Sequence, residues 1–271
     1  MKITRIAGTV AALSMLLLTA LPALAENLTG RQILDEVAER HERPYELESQ
    51  RMILIDRNDN REEREVKRYV RQGDDDEYKY LVVFHAPSGI RGVSLLTWQQ
   101  SQGDDDQWLY MPAHGRQMRR IAKGGRRNYF MGTDYAFEDL VFESREKFTY
   151  ERLADETIDG TTYYVVKSTP QDEELQKESG YKYRQLWIRQ DIFFVTRTDY
   201  YDRRGRFLKR QTNEDIVQVE GKTWRANRSI MDNESTKHQT VIEVRERDFA
   251  EDAVPARNFT RRFVTSGRHL R

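Results

Sequence analysis

A chain of 271 residues with 45 lysines and arginines against 45 aspartates and glutamates has no formal net charge, so no global field draws it to nucleic acid. It contains no cysteine, which excludes disulfides, thiolate catalysis, Cys-ligated zinc and iron–sulfur centres in one step. Attachment of lipid to the chain, as in bacterial lipoproteins, is excluded with them, because it uses a cysteine just after the signal.

The first 25 residues read as an export signal. Lys2 and Arg5 open it, an apolar run follows from Ile6 to Leu21, and Ala23-Leu24-Ala25 supplies the small-x-small cleavage pattern. Cleavage is expected after Ala25. Thr9, Ser14, Thr19 and Pro22 make a membrane anchor the weaker reading. The remaining 246 residues show no Pro-, Gly- or Ser-rich linker and are read as a single domain over 26–271. No later run approaches a membrane-spanning length. The mature chain is therefore expected to be soluble and periplasmic.

"LTGRQILDEVAERH" places Thr29 three residues before Gln32, the spacing of a capping box, and sets Ile33, Leu34 and Val37 on one stripe. This predicts an amphipathic helix of three to four turns, closed by Pro44. From Tyr45 to about Phe249 the pattern changes to eleven β-rich runs separated by turn chemistry: "RNDN", "GDDD" twice, "DG" at 159–160 and "RRG" at 203–205. Sequential hairpins without crossover helices predict a mainly β chain whose antiparallel meander must curl. "YLVVF" and "SLLTW" are apolar on both faces, so the middle of the sheet needs cover on both sides or lines a cavity.

Catalytic signatures are missing. His41, His85, His114, His238 and His269 are scattered, with no H-x-H or H-E-x-x-H, and there is no G-x-S-x-G and no phosphate loop. Asp56, Asn58 and Asn60 resemble half a calcium loop, but Arg61 occupies its glycine position and Lys67 its bidentate-acid position. The expected reading is a hairpin tip. The triplets Asp74 to Asp76 and Asp104 to Asp106 read as solvated turns, since adjacent aspartates do not point the same way. No enzyme activity, cofactor or metal is expected.

The segment from 116 to 140 is the most informative. Arg116, Arg119, Arg120, Lys123, Arg126 and Arg127 place six positive charges in twelve residues, a candidate contact for lipid headgroups or an acidic partner, or else a charged sheet edge that resists aggregation. "NYFMGTDYAFEDL" follows. Gly132 permits a backbone geometry that other residues resist, Asp134 is placed to cap a short helix, and Tyr135, Phe137 and Leu140 offer apolar faces. A loop-helix flap over the sheet is expected, with a static plug as the alternative.

"WLYMPAHGRQMRRI" followed by "NYFMGTDYAFEDL" resembles the paired motif of the LolA-like family of outer-membrane lipoprotein-sorting proteins, and the likeness extends over most of 28–250. It implies an incomplete antiparallel β-barrel of about eleven strands with helices on its concave face (mainly β, α+β). It also implies a non-covalent carrier that holds acyl chains of a lipoprotein or other lipid in an apolar cavity between inner and outer membrane. Leu96, Trp98, Trp108, Tyr110, Phe130, Met131, Tyr135, Phe137 and Leu140 are the candidate lining, chosen by pattern and proximity to the motif. An inner-membrane transporter or an outer-membrane acceptor is the expected partner. The alternative is an accessory subunit of an envelope export system, such as an RND-type transporter, docking through the basic segment without cargo of its own.

Overall fold

The computed structural model describes residues 28–73, 77–101 and 103–270. The expected signal peptide and the first acidic triplet lie outside the described residues. Helix α1 (Gly30–His41) leads into β1 (Tyr45–Ile55), β2 (Arg61–Gln72), β3 (Tyr78–Ala86), β4 (Ser94–Trp98), β5 (Asp106–Tyr110) and β6 (Met118–Arg120). After a long connection come β7 (Phe148–Arg152), β8 (Glu156–Ile158), β9 (Thr161–Pro170), α2 (Glu173–Glu178), β10 (Tyr181–Arg189), β11 (Phe194–Asp202), β12 (Phe207–Glu220), β13 (Thr223–Asn233) and β14 (His238–Asp248). Short turns of 3-10 helix and α3 (Arg261–Thr265) end the chain.

The helix forms where its cap predicts. The Thr29 side chain accepts from the Gln32 backbone N–H at 3.2 Å while Gln32 Oε1 accepts the Thr29 backbone N–H at 2.9 Å, so two otherwise orphaned donors are satisfied. Asp56 also behaves as a hairpin tip. Its carboxylate accepts the backbone N–H groups of Asn58 and Asn60 at 2.7 and 3.0 Å, an Asx turn that leaves no calcium loop.

All fourteen strands belong to one antiparallel sheet in the order β6-β5-β4-β3-β2-β1-β14-β13-β12-β11-β10-β9-β7, with β8 on β9. Alternation alone finds eleven runs because β6, β7 and β8 are only three, five and three residues long, too few for a period of two to show. Two meanders are joined where the first strand pairs with the last, Met52 opposite Ile242. The sheet does not close, since β6 and β7 are its two edges.

Curvature follows from how α1 is seated. Its N-terminal end lies against β7, where Arg152 Nη1 donates to the Leu28 carbonyl at 3.0 Å and a Cβ on Gly30 would meet the Tyr150 carbonyl oxygen at 2.7 Å. At its other end Thr223 Oγ1 donates to the Arg40 carbonyl at 2.9 Å, at the start of β13. Five strand spacings separate β7 from β13, roughly 24 Å along a flat sheet, whereas a helix of this length reaches only about 17 Å. The sheet must bend around the helix. Ile33 and Leu34 pack on the concave side against Val166 and Ile188.

The same topology explains residues 121–147. They connect β6 to β7, one edge of the open sheet to the other, so the chain has to cross the concavity. Both faces of β3 to β5 are covered, as their two-sided apolarity requires. On the inner face Phe130 and Phe137 pack with Val82, Phe84 and Leu95. On the outer face Leu81, Val83, Leu96, Trp108 and Tyr110 pack under Val254, Phe259 and Val264 of the C-terminal segment. No helix among the described residues is long and apolar enough to cross a membrane.

Candidate binding cleft

The concave side is not filled. A cleft of about 370 Å³ lies between α1 and the sheet, and a second lobe of about 260 Å³ lies beneath residues 130–142. They share Glu48, Arg68 and Phe142, which form a neck between them. The first lobe has hydrocarbon walls from Leu34, Val37, Leu186 and Val195, and the second from Val66, Val82, Leu140 and Ile242.

One wall is charged, against the sequence expectation of an apolar cavity. In β1 the even positions are buried, so Glu46, Glu48 and Gln50 face the same way as Met52 and Leu54. Arg225 of β13 grips Glu46 through Nε at 2.8 Å and Nη2 at 3.1 Å. Arg247 of β14 reaches Glu46 at 3.2 Å and Glu48 at 2.8 Å. Burial alone pushes the Glu46 carboxyl up, but Arg225, Arg68 and Arg247 outweigh it and hold it below the usual carboxylate range. Glu46 stays ionised.

Polar contacts fasten the crossing segment. Met131 (φ 50°) and Gly132 (φ 76°) turn the chain in the left-handed region, which a glycine adopts without strain. Asp134 does not cap the helical turn that follows, contrary to the sequence expectation. Its carboxylate instead accepts from Thr240 Oγ1 at 2.7 Å and lies 2.6 Å from His238 Nδ1, while Asp139 accepts the Ala136 backbone N–H at 2.7 Å. β14 supplies both partners of Asp134 and therefore outcompetes the local cap. Glu138 accepts from Ser179 Oγ and the Gly180 backbone N–H, both at 2.7 Å, and its carboxyl is pushed up by burial first and by Asp139 next to it.

Lys209 of β12 has no exposed side-chain surface. Its Nζ donates to Asp139 at 2.6 Å and to the Asp134 carbonyl at 2.7 Å, inside a cage of Tyr129, Tyr181 and Tyr200. Burial lowers its pKa from the ordinary lysine value, opposed by Asp139. At the far end of α1, His41 Nε2 faces the carbonyls of Ile192 and Phe193 at 3.1 Å, and its Nδ1 accepts the Trp224 backbone N–H at 3.2 Å. Burial drops its pKa to about 4, consistent with a neutral ring.

The candidate lining residues divide between two faces. Phe130, Tyr135 and Leu140 border the second lobe, while Phe137 and Met131 pack into the adjoining core. Leu96, Trp98, Trp108 and Tyr110 do not face the cleft: strand alternation turns them outward, where the C-terminal segment covers them and Trp98 Nε1 donates to the Phe259 carbonyl at 2.9 Å. Sequence proximity placed them with the motif, and strand parity separates them. Missed altogether were α1's Leu34 and Val37 as lining, and the buried Glu46 and Glu48 with the half-buried Arg225 and Arg247. Their only sequence signal is a charge at every second position of a strand otherwise read as half-buried.

The basic segment is not the bare cationic patch its local sequence suggests. Arg120 pairs with Asp106 at 2.5 Å, Lys123 with Asp104 at 3.1 Å and Glu174 at 2.7 Å, and Arg126 with Asp104 at 3.8 Å. The second acidic triplet thus sends its side chains to different cations, with Asp105 on Lys147 at 3.1 Å. Among the described residues Arg116, Arg119 and Arg127 form no ion pair, and all three are exposed. Arg119 and Arg120 lie on the edge strand β6. Among the described residues no cluster of His, Asp or Glu is arranged to hold a metal.

An open antiparallel barrel with a helix in its concavity and a chain crossing its mouth defines the LolA/LolB-like class of incomplete β-barrels. The chain belongs to the LolA-like family; a family model described only as an uncharacterized protein matches residues 76–266. Among solved structures it is similar to an outer membrane lipoprotein-sorting protein domain, so described, from Vibrio parahaemolyticus (27% identity, TM-score 0.81, covering 87% of this chain and 98% of that one). It also resembles a DUF1329 family protein from Desulfovibrio piger (23%, TM-score 0.76, 85% and 98%) and a LolA superfamily protein from Nitrosomonas europaea (20%, TM-score 0.69, 86% and 98%), which share its fold. No protein of curated function matches it.

Proposed function

We propose that this protein is a periplasmic, non-covalent carrier that takes up the acyl chains of a lipoprotein or another lipid in the cleft beside α1 and passes them between the inner and outer membranes. The unfilled two-lobed cleft carries this reading. Its first lobe is within the roughly 300–1,000 Å³ range of small-molecule sites, and hydrocarbon walls reward an acyl chain by about 0.8 kcal/mol for each buried methylene. The export signal expected from the sequence and the sorting function named for the Vibrio relative support the periplasmic setting. On this reading Phe130, Tyr135 and Leu140 contact cargo, whereas Leu96, Trp98, Trp108, Tyr110 and Phe137 act through folding. A single domain over 26–271 and the absence of enzyme activity belong to the same proposal.

Native mass spectrometry with lipid extraction, on mature protein purified gently from the periplasm of its host, tests it directly. A reproducible bound lipid or acylated peptide is expected, and Val37→Trp, which fills the first lobe, is expected to remove it without lowering the unfolding midpoint. A protein that arrives empty and binds no lipid when offered it overturns the reading. The unpaired Arg116, Arg119 and Arg127 favour a second one, docking on an acidic membrane partner such as an RND-type transporter. Partner capture that survives charge reversal at Arg119 and Arg127 eliminates it.

A further inference from the structure

The charged wall holds three guanidiniums against two carboxylates. Glu46 is saturated by Arg225 at 2.8 and 3.1 Å and Arg247 at 3.2 Å, and Glu48 accepts from Gln50 Nε2 at 2.7 Å and Arg247 Nε at 2.8 Å. Elsewhere in the cleft Glu143 is taken by Arg184 at 2.8 Å, Tyr150 at 2.7 Å and Ser168 at 2.8 Å, and Arg145 by Glu42 at 2.6 Å. Arg68 is left over. Its nearest carboxylate oxygen, Glu48 Oε2, stands at 3.7 Å, beyond hydrogen-bond range, and its side chain donates to none of the described residues.

Position makes this excess charge usable. Arg68 lies at the neck and borders both lobes, with the rings of Tyr80 and Phe142 5.8 Å from its Cζ. Hydrocarbon lies on either side of it. A guanidinium does not lose its proton in proteins, and its planar fork matches the two oxygens of a carboxylate or phosphate. Around the neck Glu46 and Glu48 are both engaged by guanidiniums of the sheet, while Arg68 keeps its donors, so the group that fits beside it is an oxyanion and not a cation.

We propose, building on the carrier reading, that the cargo is an amphiphile with an anionic oxyanion headgroup, carboxylate or phosphate, held at the neck by Arg68 with its hydrocarbon in the adjoining lobes. Calorimetric titration of the mature full chain with dodecanoate, dodecyl phosphate, the uncharged dodecyl ether of tetraethylene glycol, and dodecyltrimethylammonium tests this, all below their micelle concentrations. The two anions are expected to bind roughly tenfold or more tightly than the uncharged ether, and the cation most weakly. Whichever anion binds more tightly tells carboxylate from phosphate. In Arg68→Met the anion preference is expected to vanish while affinity for the ether persists, and Arg68→Lys is expected to restore it in part. Equal affinity of the native protein for anion and ether overturns this inference alone, even where Arg68→Met cannot be folded. A preference that survives in Arg68→Met overturns the assignment to Arg68. If none of the four binds, the carrier reading fails and the headgroup assignment with it.

Discussion

The sheet is covered twice by quite different means. Outside, the C-terminal segment covers β3 to β5 with Val254, Phe259 and Val264 packed against Leu96 and Trp108 in one apolar cluster. Inside, residues 129–142 are fastened by Lys209–Asp139, Asp134–Thr240 and Glu138–Gly180, and empty volume remains beside them. Hydrophobic cover is non-directional and gains by filling every gap. Hydrogen bonds and ion pairs fix position at a few points, and so allow a cover to bridge a cavity without collapsing into it.

Breaking one fastening on each side sharpens the contrast. Lys209→Met leaves the buried Asp139 without its cation and is expected to cost about 3–5 kcal/mol in urea unfolding, with most of the loss recovered in Lys209→Met/Asp139→Leu. Phe259→Ala is expected to cost about 3–4 kcal/mol, yet to leave lipid retention intact in variants that stay folded. If Phe259→Ala empties the cleft while folding is retained, the two covers are not independent and the comparison fails.

Acid probes the C-terminal end of α1. His41 is held near pKa 4 against an ordinary 6.5, so between those values the unfolded chain binds more protons than the folded one. The stability it contributes is complete above pH 6.5 and is lost as the pH falls toward 4, about 1–3 kcal/mol over the window. Protonation also removes the Nδ1 lone pair that accepts from Trp224. Thermal unfolding from pH 7.5 to 4.5 should show this slope, and His41→Gln should flatten it. The smallest effect belongs to the exposed edge: Arg119→Glu is expected to shift stability by no more than about 0.5 kcal/mol, a difference visible only in partner binding.

Much of the frame was legible in local chemistry. The Thr29 and Gln32 cap announced α1, turn residues announced the hairpins, and two-sided apolarity in "YLVVF" and "SLLTW" announced strands that are covered on both sides or line a cavity. The site was less legible. Trp108 and Leu109 are neighbours of equal promise, and only the sheet's packing says which one faces the cleft. Glu46 and Arg225 are 179 residues apart, so nothing local marks them as a pair. The acids of 104 to 106 likewise neutralise a basic run that reads as bare when taken alone.

The amino-acid sequence by itself located α1 and the eleven longer strands and showed which of their positions alternate, because capping, turn geometry and a period of two act over a few residues. Which parity faces inward, which charges meet and where empty volume remains were decided by the pairing of β1 with β14 and by a connection that must cross from β6 to β7. Those contacts join distant parts of the chain, and their energies exist only once the sheet has curled.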